Sequence, residues 1–514
     1  MNERKVGRIE RRWILGALML TMFLAAMDST IIATAVPQIA ADLGGFALIS
    51  WVFSIYLLLQ MVCIPIYGKL ADVYGRKPIL VFGTTVFLIG SGCCALSWDM
   101  PSLIAFRGLQ GLGAGAIMAT VATLVGDLYT VRERAAIQGW LSSVWGVAAI
   151  VGPTLGGAFV EYANWRWIFL INLPLGAIAL TLVTRFLHEQ IERHEHRIDF
   201  TGALLILIGS AVLFFGLLQG GQAWPWRSWQ SLAAFTLAAL VLLAAWRMER
   251  RAAEPIMPGW LWKRRNVALS NLATVGLGIV LMGPNTYLPT FGQSVLGLGA
   301  IAAGLLLATI SLGWPLASSF SGRLYLGIGF RNTALIGAVL ALLATVAFAL
   351  LPEPQSVPVL VVIHVVLGAG FGLISTPLLV ALQSAVGWGQ RGVITSANMF
   401  SRYLGMSLGA VLVGAIFNNA MRDALEHVPP AARGRAPADM DAVIRAVHDP
   451  ATPQILADYL RDAMATATVH VYLGVAVAAL LTVLAVIGIQ RGFAMQNTDK
   501  DAAVPANTTA DETH

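Results

Sequence analysis

The sequence predicts an all-α membrane protein of fourteen spans, and three observations predict it. Of 514 residues, 57% are hydrophobic and only 12% charged, whereas a soluble domain carries roughly 25% charged residues. Apolar runs of about 20 residues recur along almost the whole chain, the length needed to cross a ~30 Å hydrocarbon core at 1.5 Å per helical residue. The mean hydropathy is +0.74. In lipid each backbone N–H and C=O must be satisfied within its own segment, so these runs are helices.

The spans are expected at 13–36, 47–67, 79–98, 102–125, 138–160, 167–187, 200–219, 230–247, 267–290, 299–320, 333–351, 357–381, 394–417 and 470–490. The basic stretch Arg4 to Arg12 before Trp13 resembles a signal peptide, but the run has no small-residue cleavage site and is expected to be a retained first span. Trp51, Trp98, Trp140, Trp165, Trp224, Trp229 and Trp388 lie at or near proposed ends, as an aromatic belt requires.

Charge sets the orientation. A net charge of +6 and a pI near 9.4 would suggest nucleic acid in a soluble protein; here they reflect basic loops, and no nucleic-acid partner is expected. Most of the 33 Lys and Arg residues fall in loops on the N-terminal side of the membrane, while the short opposite loops hold only Arg166 and Arg227. Both termini are therefore expected to be cytoplasmic, in a multi-pass protein of the cytoplasmic membrane. The three cysteines (Cys63, Cys93, Cys94) lie within apolar runs and indicate no disulfide framework. Neither a metal cluster nor a nucleophile–base set stands out, so neither enzyme activity nor a cofactor is expected.

An internal repeat sets the domains. Tyr67-Gly68-Lys69-Leu70 with Gly75-Arg76-Lys77 recurs at constant spacing as Ser321-Gly322-Arg323-Leu324 with Gly329-Phe330-Arg331. Parallel halves are a repeat type of secondary transporters. The expected division is a six-helix bundle over 1–188, a two-helix insert over 189–265, and a second six-helix bundle over 266–496. The last contains a polar external segment, 418–469, with an amphipathic helix in Ile455–Met464, and a disordered cytoplasmic tail covers 497–514.

Between spans two and three stands Gly68-Lys69-Leu70-Ala71-Asp72-Val73-Tyr74-Gly75-Arg76-Lys77-Pro78. Its glycines suit close backbone approach, its cations suit a cytoplasmic loop, and its acid suits a helix N-terminus or an arginine. A basic loop alone explains Lys69, Arg76 and Lys77 but requires neither Asp72 nor the glycines. The stretch resembles the GxLaDrxGRkxxl loop of the major facilitator superfamily. That resemblance implies a conformational latch of Gly68, Asp72, Gly75, Arg76 and Lys77, with Asp72 capping the span that begins near Gly392.

In span five, Gly152-Pro153-Thr154-Leu155-Gly156-Gly157 combines a proline kink with glycines that admit a neighbouring backbone. A glycine packing seam is the plain reading; resemblance to the GPxxGG motif of the antiporter branch makes Gly152, Pro153, Gly156 and Gly157 an antiporter helix kink. In span one, Ala26-Met27-Asp28-Ser29-Thr30 through Pro37 resembles the LDxTIVNVALP motif of fourteen-span drug/proton antiporters, with Ala33 in place of the asparagine. Arg107 opens a glycine-rich run in span four, costs at least ~2.5 kcal/mol to insert, and is a functional candidate unless it snorkels to the interface.

Asp28 lies about 15 residues into a rising helix and Arg107 about 6 into a descending one, at similar depth in a ~30 Å core, so a charge pair is allowed. An acid desolvated in one state and paired with arginine in another changes its proton affinity. Asp28 and Arg107 are therefore the expected proton-coupling pair, with a fixed ion pair as the alternative, and the coupling reading expects Asp28 beside a central water-lined space. Substrate-cavity candidates are Arg402, His364, Tyr287 and Asn285; a lone buried histidine is more often a packing residue.

The whole resembles a multidrug efflux protein: two six-helix bundles plus two inserted helices in the major facilitator fold. The resemblance implies a monomer that exchanges protons for a lipophilic small molecule, with antibiotic resistance as a consequence. The competing readings are a proton symporter, an exporter of an anionic or lipidic metabolite on the same scaffold, and a channel.

Overall fold

The computed structural model describes residues 8–45, 48–189, 199–220, 224–252, 254–351, 356–428, 437, 440–449 and 451–493. The expected tail 497–514 lies outside them. The described residues are helical, without a named strand.

The first group is α1 (Arg8–Ile31), α2 (Val36–Leu43), α3 (Ile49–Tyr74), α4 (Arg76–Ala95), α5 (Met100–Leu128), α6 (Val131–Tyr162), α7 (Trp167–Leu170) and α8 (Asn172–Phe186). Then come α9 (Phe200–Gln219), α10 (Trp229–Glu249) and α11 (Trp260–Lys263). The last group is α12 (Arg265–Ser294), α13 (Ala300–Ala308), α14 (Ile310–Ile328), α15 (Phe330–Ala349), α16 (Val357–Ser384), α17 (Arg391–Glu426), α18 (Met440–His448) and α19 (Gln454–Ile487). Among the described residues, thirteen helical segments are long and apolar enough to cross a bilayer, and the shorter apolar stretch Thr201–Leu217 in α9 supplies the fourteenth.

Local chemistry explains the joints. Asp99 caps α5 by accepting the Ser102 N–H at 2.8 Å, and the hydrogen bonds from Ser102 hold its carboxyl below the usual range. α7 and α8 form one span broken at Ile171, where Pro174 has no N–H to offer the Leu170 carbonyl. Gly75, at φ 94°, turns the chain directly from α3 into α4, and Gly329, at φ 87°, does the same between α14 and α15. Both positions demand left-handed backbone, which is why the repeat places glycine at each.

Buried apolar side chains of the first group cluster around Leu18, Tyr56, Phe87, Ile117 and Leu124, joined by Met399 and Tyr403 of α17. Those of the last group cluster around Leu277, Phe348, Leu367, Phe371 and Tyr472. Between the groups, α3 meets α17 and α6 meets α14, while α9 lies against both α3 and α17.

One sequence expectation needs correction. Much of 418–469 is helix rather than polar loop: α17 has 36 residues and α19 has 34, so each is ~50 Å long, well beyond a ~30 Å core. Their protruding ends pack with α18 around Phe417, Met421, Val443, Val447, Leu456 and Leu460. The apolar face expected in Ile455–Met464 is therefore the start of α19.

Candidate functional site

Three clusters gather most of the candidate residues. The first is inside the first helix group. Asp28 on α1 and Arg107 on α5 form an ion pair through Oδ2 and Nη1. Its other oxygen, Oδ1, accepts from the side-chain amides of Gln110 (2.6 Å) and Asn172 (3.2 Å). All three neighbours donate and none accepts, the pattern of an ionised carboxylate. Ser91 ties the amides together, accepting from Gln110 at 3.2 Å and Asn172 at 3.0 Å while donating to the Phe169 carbonyl at 2.9 Å. The guanidinium also donates to the Gln110 side-chain oxygen (2.7 Å) and the Val52 carbonyl (3.2 Å), and lies 4.1 Å from the Tyr56 ring centroid.

Asp28 has 0% and Arg107 1% of its surface exposed. Arg107 does not snorkel. Asp28 does not border a central water-lined space in this conformation either, contrary to expectation; α1, α4, α5 and α8 enclose it.

The second cluster lies at the end of the molecule where α3 turns into α4. The Asp72 carboxylate accepts the backbone N–H of Gly392 and of Val393, both at 2.8 Å, across the boundary between helix groups. No side chain of α17's own neighbourhood caps it, so Asp72 supplies the cap in trans. Arg76 donates to Asp72 (2.7 Å), lies 2.9 Å from Asp127 and donates to the Trp388 carbonyl (2.6 Å), with its guanidinium 3.6 Å from the Trp388 ring centroid. Arg391 returns the contact, reaching Asp127 at 3.1 Å. Gly68 sits against Gly392 and Ser396, where a Cβ would meet the Gly392 carbonyl at 2.6 Å. Lys77 points elsewhere, donating to the Thr184 carbonyl at 2.8 Å.

The third cluster joins α1 to α6. A Cβ on Gly156 would meet the Ile31 carbonyl at 2.6 Å, and one on Gly152 would lie 3.1 Å from the Thr30 Cβ. Thr30 donates to the Ala148 carbonyl at 3.0 Å, four residues before Gly152. Pro153 lies inside α6 without ending it. Gly157 has nothing within 4 Å and takes no part in the seam.

The four substrate-cavity candidates are not brought together. His364 is buried, held between the Leu360 carbonyl and the Tyr472 hydroxyl at 2.7 Å each and packed edge-on to Phe348. It is a packing histidine, not a cavity residue. Tyr287 stacks on Phe417 at 4.2 Å toward the protruding ends of α17 and α19, whereas Asn285 is exposed. Arg402 is half-buried beside the Tyr403 ring. Trp388, expected in the aromatic belt, instead stacks under Arg76, and Trp165 is buried with its indole N–H on Asp42.

Sequence reasoning missed Gln110, Asn172, Ser91 and Tyr56 around Asp28. Neutral residues inside apolar runs give no signal until a charge needs partners. It also missed Glu189, whose carboxylate accepts the N–H of Arg76 (3.0 Å) and Lys77 (2.8 Å) and so caps α4. Asp127 was legible as an acid at a span end, but nothing local linked it to Arg76.

Residues 18–410 match the model of the Major Facilitator Superfamily. The multidrug transporter protein MdtP of Bacillus subtilis (strain 168) is 34% identical over 419 residues, 81% of this chain and 77% of that protein. Multidrug resistance protein 3 of the same organism is 31% identical over 480 residues, 92% of this chain and 94% of its own length. Among solved structures, the human organic anion transporter MFSD10 (TETRAN) aligns with a TM-score of 0.60 at 16% identity, over 94% of this chain and 100% of that one. A bacterial homologue of the iron transporter ferroportin, in an outward-facing state, aligns at 0.59 and 13%, over 94% and 99%. At such identities the structures speak for the fold alone.

Proposed function

The chain belongs to the Major Facilitator Superfamily, and on that premise we propose that it is a proton-coupled antiporter exporting lipophilic small molecules by alternating access. It is a multi-pass membrane transporter and not an enzyme. The working halves in this reading are 1–188 and 266–496, with 189–265 inserted. The basic end, bearing Asp72 and Arg391, faces the cytoplasm of a monomer in the cytoplasmic membrane. With that end clasped, the conformation corresponds to the outward-facing side of the cycle, and Asp72 acts as its latch.

The observation that carries the coupling reading is the Asp28–Arg107 pair, an acid and a base held together with almost no exposed surface. Enclosure adds a condition. Asp28 exchanges its proton only in a state where α1 has moved from α5, and that requirement is what would tie proton exchange to the conformational cycle. Each proton moved inward draws about 2.3 kcal/mol per 100 mV from the membrane potential. The Gly152–Gly156 seam sets α6 against the helix that bears Asp28, which supports coupling between the pair and the motion of α6.

Proteoliposomes with an imposed pH gradient and a panel of fluorescent lipophiles test the reading. Substrate-driven alkalinisation on the side the lipophile leaves is expected to be absent, and proton release opposite to lipophile movement present. Proton and lipophile moving together would establish symport, and non-saturable flux would establish a channel; either refutes antiport.

A further inference from the structure

Arg402 on α17 differs from the other arginines that hold the helices together. Arg107 is paired with Asp28, Arg76 with Asp72 and Asp127, and Arg391 with Asp127. Among the described residues no carboxylate lies within ion-pair distance of Arg402, whose guanidinium sits 5.7 Å from the Tyr403 ring centroid. At 1.5 Å per residue it lies ~16 Å along α17 from Arg391 at the basic end, roughly halfway through a ~30 Å core. A cation at such a place without a counter-ion is a candidate for meeting one that comes from outside the chain.

The face that bears Arg402 looks between the helix groups. Gly278 of α12 packs on the Arg402 backbone, and Gly405 and Gly409 pack on Val275 and Ile279 of the same helix. On the other flank, Met399 and Tyr403 join the buried cluster of the first group. At 3.6 residues per turn Arg402 falls between these two flanks, roughly 100° from Leu408 and Leu412, which are 38% and 39% exposed and face lipid. Climbing α17 by fours, Arg402 and Met406 are half-buried, Ala410 is exposed, and a Cβ on Gly414 would meet nothing within 4 Å. That is the profile of a cleft that closes at Arg402 and widens away from the basic end, where Asp72 holds the groups together.

Asp28, the acid set well inside the spans, is enclosed and already saturated by Arg107, Gln110 and Asn172. A cationic lipophile in the cleft would find no carboxylate to pair with, whereas an anionic one would find Arg402. We propose that Arg402 is the head-group subsite for exported lipophiles that carry one anionic group, a carboxylate or sulfonate, whose apolar body lies along the Met406–Gly414 row. The planar guanidinium can donate two parallel N–H bonds to such a group. The assignment rests on the export reading above and names its substrate class. It also fixes the energetics: expelling one anion while returning one proton moves two positive charges inward, so the membrane potential drives the exchange even without a pH gradient. Expelling a monocation for one proton moves none.

The test measures equilibrium binding to the full chain in detergent by fluorescence anisotropy. Three probes share a pyrenylbutyl body and end in a sulfonate, a hydroxyl or a trimethylammonium. The sulfonate is expected to bind about 10–100-fold more tightly than the alcohol, and the trimethylammonium more weakly than either. Arg402→Gln should erase the advantage of the sulfonate over the alcohol, and Arg402→Lys, which keeps the charge but loses the fork, should retain part of it. Equal weakening of all three probes by Arg402→Gln would make Arg402 a structural residue and overturn the subsite. A parent chain that does not prefer the sulfonate overturns it with no variant at all, so a misfolded Arg402→Gln still leaves the proposal refutable. Sulfonate-selective binding by a chain whose sulfonate flux in proteoliposomes ignores an imposed potential would instead sink the antiport reading and leave the subsite standing.

Discussion

Asp72→Ala removes the acceptor of two backbone N–H groups, each at 2.8 Å, and one of the two carboxylates that hold Arg76. Charge-assisted hydrogen bonds contribute about 1.5–3 kcal/mol apiece, and losing a helix cap costs ~0.5–2 kcal/mol. Two offsets reduce the sum. Arg76 keeps Asp127 and the Trp388 carbonyl and ring, and the opened state already has both helix end and acid hydrated. A net loss of about 2–3 kcal/mol remains, which shifts the equilibrium from clasped to open by ~30–140-fold at 1.4 kcal/mol per decade. Spin labels on Arg132→Cys and Gly327→Cys, exposed positions at the basic ends of α6 and α14, report the opening as a new long-distance population in double electron–electron resonance. Cys63, Cys93 and Cys94 are replaced beforehand. Asp72→Asn retains one acceptor oxygen and should fall between, near about 1 kcal/mol. Distance distributions that coincide for Ala, Asn and the parent chain would refute the latch.

Other outcomes are equally direct. Asp28→Asn should abolish lipophile flux driven by a pH gradient while leaving a monodisperse, folded protein; retained gradient-driven flux removes Asp28 from the coupling. Gly156→Ala, whose Cβ would lie 2.6 Å from the Ile31 carbonyl, should lose about 1–3 kcal/mol of stability, whereas Gly157→Ala, facing open space, should stay within ~0.5 kcal/mol; thermal melting in detergent compares them. His364→Ala strips the Leu360 and Tyr472 contacts and should cost about 2–4 kcal/mol without changing the half-saturating concentration of any exported lipophile. Glu189→Ala should lower stability by about 1 kcal/mol, the usual loss for an uncapped helix, read in the same melting assay.

The sequence reached the fold because lipid leaves few choices: an apolar run of the right length is a helix, and its ends carry charge and glycine. Gly75 and Gly329 could be paired from the repeat, and their shared left-handed turns gave the reason afterwards. Depth along the two helices allowed Asp28 and Arg107 to meet but did not require it. Their enclosure did not, since depth along a helix says nothing about azimuth, and only packing decides whether a face meets water or another helix. The protruding ends of α17 and α19 were misread for a related reason. Their polar exteriors and apolar seam average to a loop-like composition, and the seam shows only once α17 and α19 pack on each other with Val443 and Val447 of α18 across it.

Helix α3 is common to the pair and the latch. Its Val52 carbonyl and Tyr56 ring hold the Arg107 guanidinium, and its far end carries Asp72. Neutralising Asp28 would leave Arg107 with its α3 contacts and the Gln110 oxygen, so the force balance on the arginine would swing from α1 toward α3. Helix α3 spans the ~30 Å between these contacts and so links them mechanically, with Pro65 lying on the path. α1, released from α5, remains keyed to α6 through Thr30 and the Gly152–Gly156 seam. In the proposed cycle, loss of one charge would act on both inter-group contacts at once, through α3 upon α17 and through α1 and α6 upon α14, which is what a carrier requires if a proton bound on one side is to be released only after the gate has moved.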